Sequence, residues 1–492
     1  MKKYLFIIAV LSYTAAQSQG VSDALRYAQD NFNGTARFRA MGGAMGALGG
    51  DLSAINVNPA GSAIFTANVV GLSLTSYNTN NKSKYFGTNT TENDYTFDLN
   101  QAGGVYIIPN DDENSGWKKF TLALNYENIN NFDNTLFSAG TNPTNSIGNY
   151  FLNYANQNGG VPLNTLQNSY YEDLNYDDAQ AFLGYQAYII NPVADTPNNT
   201  QYVSNIPVGD YYQEKSFVST GYNGKVNFNV ATSYKDKLYL GLNLNSHFTD
   251  YRQSTSFYEE NDNNTAGGVQ RLRFNNNLYT YGTGFSFQLG AIAKVTNELR
   301  LGLAYESPTW YRLNDELSQN LVSVRVDPDT DETLTAVVDP NITMLYDTYK
   351  LQTPGKFTAS AAYVFGKEGL ISIDYSIKDY GNTQFRPDNE FTNANDQMSS
   401  ELTQAGELRI GAEKRIKQWS LRGGYRMEES PYKNGKTIGD LTSFSGGLGY
   451  NFGNVKLDLA YTYAQRDYEN AVNDITKAVN NNVSVTLLFE LE

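Results

Sequence analysis

LYLGLNLN, residues 238–245, sets Leu238, Leu240, Leu242 and Leu244 on one parity and Tyr239, Gly241, Asn243 and Asn245 on the other. A β-strand turns successive side chains to opposite faces, so this segment reads as a strand with one apolar and one polar face. The same period returns on both sides of it. Phe120, Leu122, Leu124 and Tyr126 alternate with Thr121, Ala123 and Asn125. It recurs in Phe285, Phe287, Leu289 and Ala291, in Leu299, Leu301, Leu303 and Tyr305, in Phe444, Gly446, Leu448, Tyr450 and Phe452, and in Val483, Val485, Leu487 and Phe489. Followed along the chain, the period predicts strands near 67–77, 95–107, 117–128, 223–234, 237–250, 280–295 and 298–307. A second set follows near 355–366, 369–379, 406–415, 418–429, 440–452, 455–466 and 481–491. That makes fourteen, and single-chain bacterial membrane barrels have even strand counts.

The connections carry a second signal. Lys235-Asp236, Thr296-Asn297, Lys367-Glu368, Lys417 and Gly453-Asn454 are tight turns, and long polar stretches at 129–222, 251–279, 308–354 and 380–405 lie between them. Membrane barrels keep short turns on the periplasmic side and long loops outside, whereas a soluble sandwich or propeller has no reason to alternate in this way. Composition agrees. The chain has 38 Tyr, 25 Phe and 42 Gly with a mean hydropathy of −0.48, as expected when only alternate residues face lipid and aromatic girdles mark the interfaces. No segment offers the roughly 20 apolar residues of a spanning helix.

Lys2 and Lys3, the apolar run Tyr4–Tyr13, and the small residues Ala16 and Ser18 read as a signal peptide cleaved after Ser18. Residues 21–65 are rich in Gly and Ala and lack alternation; preceding the first strand, they are expected to fold back into the lumen as a plug. The expected organisation is therefore a signal peptide (1–18), a plug or hatch (19–66) and an all-β, fourteen-stranded antiparallel transmembrane barrel (67–492).

The chain has no cysteine and one histidine, His247, which excludes disulfides, thiol chemistry and a lipoprotein cysteine. No G-x-S-x-G or H-E-x-x-H motif is present, so no enzyme is expected, and the formal charge of −15 argues against nucleic acid as a partner. His247 reads as an interface or loop residue near the outer end of its strand. Asp327, Asp329 and Asp331 form a D-x-D-x-D run, but Glu332 and Val338 stand where a calcium loop needs Gly and Glu; a solvated turn is expected, with no metal. The glycines from Gly42 to Gly50 read as close backbone packing against a wall. In the long 129–222 segment, Phe182, Tyr185 and Ile189 fall on one helical face. Two readings stand for them: an external surface that captures apolar ligand, or the loop's own small core.

RFRAMGGAMGALGGDLSAINVNPAGSAIF (37–65), with Asn58-Pro59-Ala60 at its centre, resembles the hatch of the FadL/OmpP1/TodX family of outer-membrane transporters. RLGLAYESP (300–308), ISIDYSIKDYG (371–381), ELRIGAEKRIKQWSLRGGYRMEESP (407–431), GGLGYNF (446–452) and KLDLAYTY (456–463) extend the resemblance over the mature chain in the family's order. The resemblance implies a fourteen-stranded barrel in the outer membrane. It also implies passive uptake of hydrophobic compounds such as long-chain fatty acids, which pass an interior pocket and leave sideways through the wall. Asn58, Pro59 and Ala60 would be elements of the moving hatch, no cofactor is implied, and no basic ligand contact can be carried over. The partners expected are a hydrophobic small molecule and outer-membrane lipid. The alternative is a non-transport subunit of an outer-membrane secretion or assembly complex with a protein partner; an open aqueous porin conflicts with the hatch.

Overall fold

Fourteen antiparallel strands pair in sequence until the last meets the first, in a computed structural model that describes residues 19–112, 114–263, 267–327, 329–471 and 474–491. The expected signal peptide, residues 1–18, lies outside the described residues. The wall strands are β1 (Asn68–Tyr85), β2 (Thr88–Pro109), β3 (Trp117–Asn131), β4 (Tyr211–Tyr234), β5 (Leu238–Asn261), β6 (Val269–Lys294) and β7 (Leu299–Glu306). They continue as β8 (Lys356–Val364), β9 (Gly369–Asp379), β10 (Gln404–Ile416), β11 (Trp419–Glu428), β12 (Leu441–Asn451), β13 (Val455–Ala471) and β14 (Asp474–Leu491). Closure runs through the β1–β14 ladder, from Asn68 opposite Leu491 to Tyr85 opposite Asp474. Each of the fourteen expected strands is present.

Burial is inverted relative to a soluble barrel. Leu240, Leu242 and Leu244 are 38%, 37% and 43% exposed, whereas Asn243 and Asn245 on the other face are 0% and 1% exposed. Polar atoms line the inside and apolar rows coat the outside, which is stable only if the outside meets hydrocarbon. No described helix is long and apolar enough to cross a membrane.

The five tight turns expected from the sequence lie at one end; one further two-residue turn, Phe86-Gly87, joins β1 to β2 at the other. Lys235 and Asp236 both have positive φ (52° and 50°), the geometry that lets a two-residue turn follow the strand twist. At the other end the strands run past the apolar rows, and here the structure corrects the expected loops. Residues 251–261 and 269–279 form the outer halves of β5 and β6, paired from Tyr251–Thr280 up to Glu260–Arg271. The 129–222 segment contributes the end of β3, a strand Asn134–Asn142 that pairs with β4, and a small helical cap; residues 310–326 pair with the outer part of β6.

Inside, the chain from Gln19 onward forms α1 (Val21–Ala28), α2 (Ala36–Ala40) and two 3₁₀ turns, Ser53–Asn56 and Pro59–Ile64. α1 packs in the outer mouth against Tyr311, Leu313, Tyr349 and Leu351. Residues 36–65 fill the opposite half of the lumen, where wall glycines let backbones meet. A Cβ on Gly424 would lie 2.1 Å from Gly42 N, and one on Gly302 would lie 2.5 Å from Gly46 O. The expected close packing of residues 42–50 is therefore against the wall itself.

Candidate functional site

Three features define the site: the docking of the hatch, a charged cavity above it, and a gap in the wall ladder beside it.

Asn58 is 1% exposed and caps the Pro59–Ile64 turn by accepting from Ala60 N at 3.2 Å. Its amide donates to Gly46 O (2.8 Å) in the hatch and to Ala291 O (3.0 Å) on β6. Pro59 O accepts from Asn229 on β4 at 2.9 Å, and Ala60 is buried in a cluster with Ala231, Tyr239 and Ile292. Asn58, Pro59 and Ala60 thus hold the hatch to β4–β6. Further ties are Arg37 to Glu413 (3.1 Å), Gly46 N to Asp374 (2.9 Å) and Arg300 to Leu48 O (3.1 Å).

Above this dock lies a cavity of about 80 Å³, lined on the wall side by Glu127, Lys225, His247, Glu306, Lys356, Lys378 and Arg409, and on the hatch side by Tyr27, Asp30, Asn31, Phe32 and Asn33 among others. Asp30 Oδ2 lies 3.2 Å from Lys356 Nζ and 3.3 Å from Lys378 Nζ. Burial raises its pKa, but Lys378 and then Lys356 outweigh that and hold the carboxyl below the usual carboxylate range. Lys356 also meets Glu306 at 3.1 Å. Lys225 is 6% exposed and makes no hydrogen bond or ion pair among the described residues. Arg409 is held bidentately by Glu407, at 2.8 and 2.7 Å.

The wall is incomplete beside the cavity. The β2–β3 ladder runs from Pro109–Lys119 to Gln101–Glu127 and stops there. At the same level β2 bulges at Asn100, and β3 bulges at Ile129. A bulge bends its strand and re-aims its side chains, and the hatch takes up the freed edge. Asn31 N donates to Ile129 O at 3.2 Å, Asn33 Nδ2 to Asn128 O at 2.6 Å, and Asn100 Nδ2 to Gly34 O at 2.6 Å. On the outer surface of β2 beside this seam, Phe97 and Leu99 are 67% and 45% exposed. Further out, side chains bridge the two edges, with Asn131 Nδ2 donating to Thr96 Oγ1 at 3.0 Å and Thr135 Oγ1 to Asp94 at 3.3 Å.

Two expected features sit elsewhere. The helix in the long loop is Tyr176–Gln186, and Ile189 beyond its end is 0% exposed within the cap's core; Phe182 and Tyr185 are half-buried against the same core. Of the two readings left open, the loop's own core is the one adopted, and Ile189 offers nothing to a ligand. His247 is not at an interface: it faces the lumen, 2% exposed, with Nε2 2.9 Å from Ser286 Oγ. Asp327 accepts from Asp329 N (2.9 Å) and Thr330 N (3.1 Å), as a solvated turn does, and no metal-binding cluster is found among the described residues.

Asp30, Lys225, Lys356 and Lys378 were not singled out from the sequence. A signal was present: in KVNFNV, Lys225 shares the parity of Asn227 and Asn229, which is the lumen row. Nothing local reveals that these residues converge from the hatch and from β4, β8 and β9.

Residues 193–488 match the family model described as outer membrane protein transport protein (OMPP1/FadL/TodX). No curated protein matches the chain. Among solved structures, it is similar to a FadL homologue of Pseudomonas aeruginosa (TM-score 0.53, 12% identity, covering 94% of this chain and 99% of that one). It is also similar to the toluene transporter TodX of Pseudomonas putida (0.52, 14%, 94% and 100%) and the toluene transporter TbuX of Ralstonia pickettii (0.50, 16%, 94% and 100%). At these identities the likeness is one of fold.

Proposed function

The chain belongs to the outer membrane protein transport family (OMPP1/FadL/TodX), and from that membership we propose that it carries hydrophobic compounds such as long-chain fatty acids passively across the outer membrane and releases them sideways through the β2–β3 seam. The observation that carries this reading is the seam itself. Backbone groups at hydrocarbon depth need partners, and at Asn128 and Ile129 those partners are supplied by the hatch rather than by β2. Withdrawal of residues 31–34 would connect the cavity to the lipid beside Leu99. Partition of the apolar chain into lipid then drives release, at roughly 25 cal/mol per Å² removed from water.

The cavity chemistry favours an amphiphile with an anionic head over a neutral aromatic such as the toluene named for two of the similar structures. Lys225 is a buried amine that makes no hydrogen bond or ion pair among the described residues; Glu127 stands across from it on β3 and Asp30 and Glu306 line the same cavity, yet none contacts it directly, and an incompletely paired buried charge is costly. A carboxylate head relieves that cost; a hydrocarbon leaves it in place. At about 80 Å³ the cavity is also well below the ~300 Å³ of a small-molecule pocket. Uptake therefore requires hatch movement; the ties of Asn58, Pro59 and Ala60 to β4–β6 favour these residues, expected from the sequence to move, as its anchor and residues 30–34 as its moving end.

Because the chain has no cysteine, a lock can be built without background. In the double variant Asn33→Cys/Asn128→Cys, oxidation should stop fatty-acid uptake by cells and a reductant should restore it. Uptake at the wild-type rate in the verified, oxidised protein would remove the seam from the pathway.

A further inference from the structure

Lys356 and Lys378 stand directly opposite each other on β8 and β9. Like charges in that relation repel; Glu306 meets Lys356 at 3.1 Å and Ala28 O accepts from Lys378 at 2.7 Å, but the group that bridges both amines belongs to neither strand: Asp30 of the hatch, with one oxygen between them. Although enclosed in the lumen, Asp30 keeps 40% of its side-chain surface open, towards the cavity. Its second oxygen makes no hydrogen bond among the described residues. Lys225, unpaired, lines the same space. Directly after Asp30 come Asn31, Asn33 and Gly34, the residues that close the seam.

We propose that Asp30 is an internal stand-in for the head group of a carboxylate ligand, so that an anionic head engaging Lys225 displaces it from Lys356 and Lys378 and thereby frees residues 31–34 from the wall. This rests on the transport reading above and adds the specificity determinant. A ligand shifts an equilibrium only through its different affinities for the two states. An anionic head can take the bridging place between the two lysines only when Asp30 has left it, with Glu306 still beside Lys356, so it selects the open seam. An alcohol or hydrocarbon of the same length gains nothing from the exchange and leaves the latch shut. Apolar surface thus determines whether a molecule partitions, and the head group determines whether the seam opens.

The test is amide hydrogen exchange of the full mature protein in lipid nanodiscs, with oleate or oleyl alcohol as probe. Oleate should speed exchange at residues 31–34 on the order of tenfold, within the usual range of coupling between two sites, and oleyl alcohol should not. Asp30→Asn should exchange fast at 31–34 with no probe, and Asp30→Glu should behave as wild type; protection of residues 59–64 reports that the hatch is still docked. An equal response to both probes, or an Asp30→Asn protein as protected at 31–34 as wild type, overturns the proposal. If Asp30→Asn does not fold, the two probes on the wild type decide alone. Oleate uptake by cells, measured in parallel, separates the two ideas: head-group-selective exchange without uptake would leave the latch standing and remove the transport reading.

Discussion

Asn58 shows how much a single amide can organise in a polar lumen. One side chain caps a 3₁₀ turn and donates to a hatch carbonyl and to a wall carbonyl, and Gly290 on β6 makes room for it: a Cβ there would lie 2.1 Å from Asn58 Oδ1. The Asn58→Ala variant strands buried carbonyls and removes the cap, so it should lower unfolding stability by about 1–3 kcal/mol. Equilibrium denaturation in detergent measures this, and a loss below a few tenths would mean that the dock does not depend on Asn58. This residue was legible beforehand because the motif around it resembles a family hatch. Asp30 was not legible: an aspartate after an alanine-rich helix looks like any solvated carboxylate until β8 and β9 bring Lys356 and Lys378 to it.

Within the strands, the alternation of side chains located all fourteen, because lipid on one face and polar lumen on the other impose opposite demands at every second residue. The same physics explains where the reading fell short. Above the membrane the outer faces of β5 and β6 no longer meet lipid, and Val269, Leu272 and Phe274 enter the core of the cap, so residues 251–261 and 269–279 lose the regular alternation while keeping the ladder. The sequence there looks like a loop although the two strand ends pair with each other up to Glu260 and Arg271. The role of the helix at 176–186 stayed open between two readings, since a helix packed on several sides shows no clean face by which to assign it. The lipid row makes a direct prediction. Leu242 lies in the middle of the outward row of β5 and is 37% exposed, so Leu242→Arg should cost about 2–4 kcal/mol, as arginine does at the bilayer midplane. Folding titrations in lipid vesicles would show it, and a neutral result would place Leu242 outside the hydrocarbon band.

At the scale of the whole molecule, wall and hatch have separable roles. The wall closes through its own ladders from β1 round to β14, the β2–β3 ladder breaking off at Gln101, and the hatch fills the lumen and completes that seam. Removing residues 19–66 should leave a folded barrel with an open passage, seen as a large rise in single-channel conductance in planar bilayers. Unchanged conductance in a folded deletion protein would mean that the wall's side chains and the outer cap block the passage unaided. The sequence by itself determined the barrel and its strand number, because both follow from local periodicity, and a contiguous motif pointed to an N-terminal segment inside it. Only the tertiary structure decided that the β2–β3 ladder breaks off at Gln101, that the hatch supplies the missing hydrogen bonds, and that Asp30 meets two lysines more than 300 residues away in the chain. Those facts depend on which strand ends lie at one height around a closed wall, and closure relates residues by register and shear, which no local pattern records.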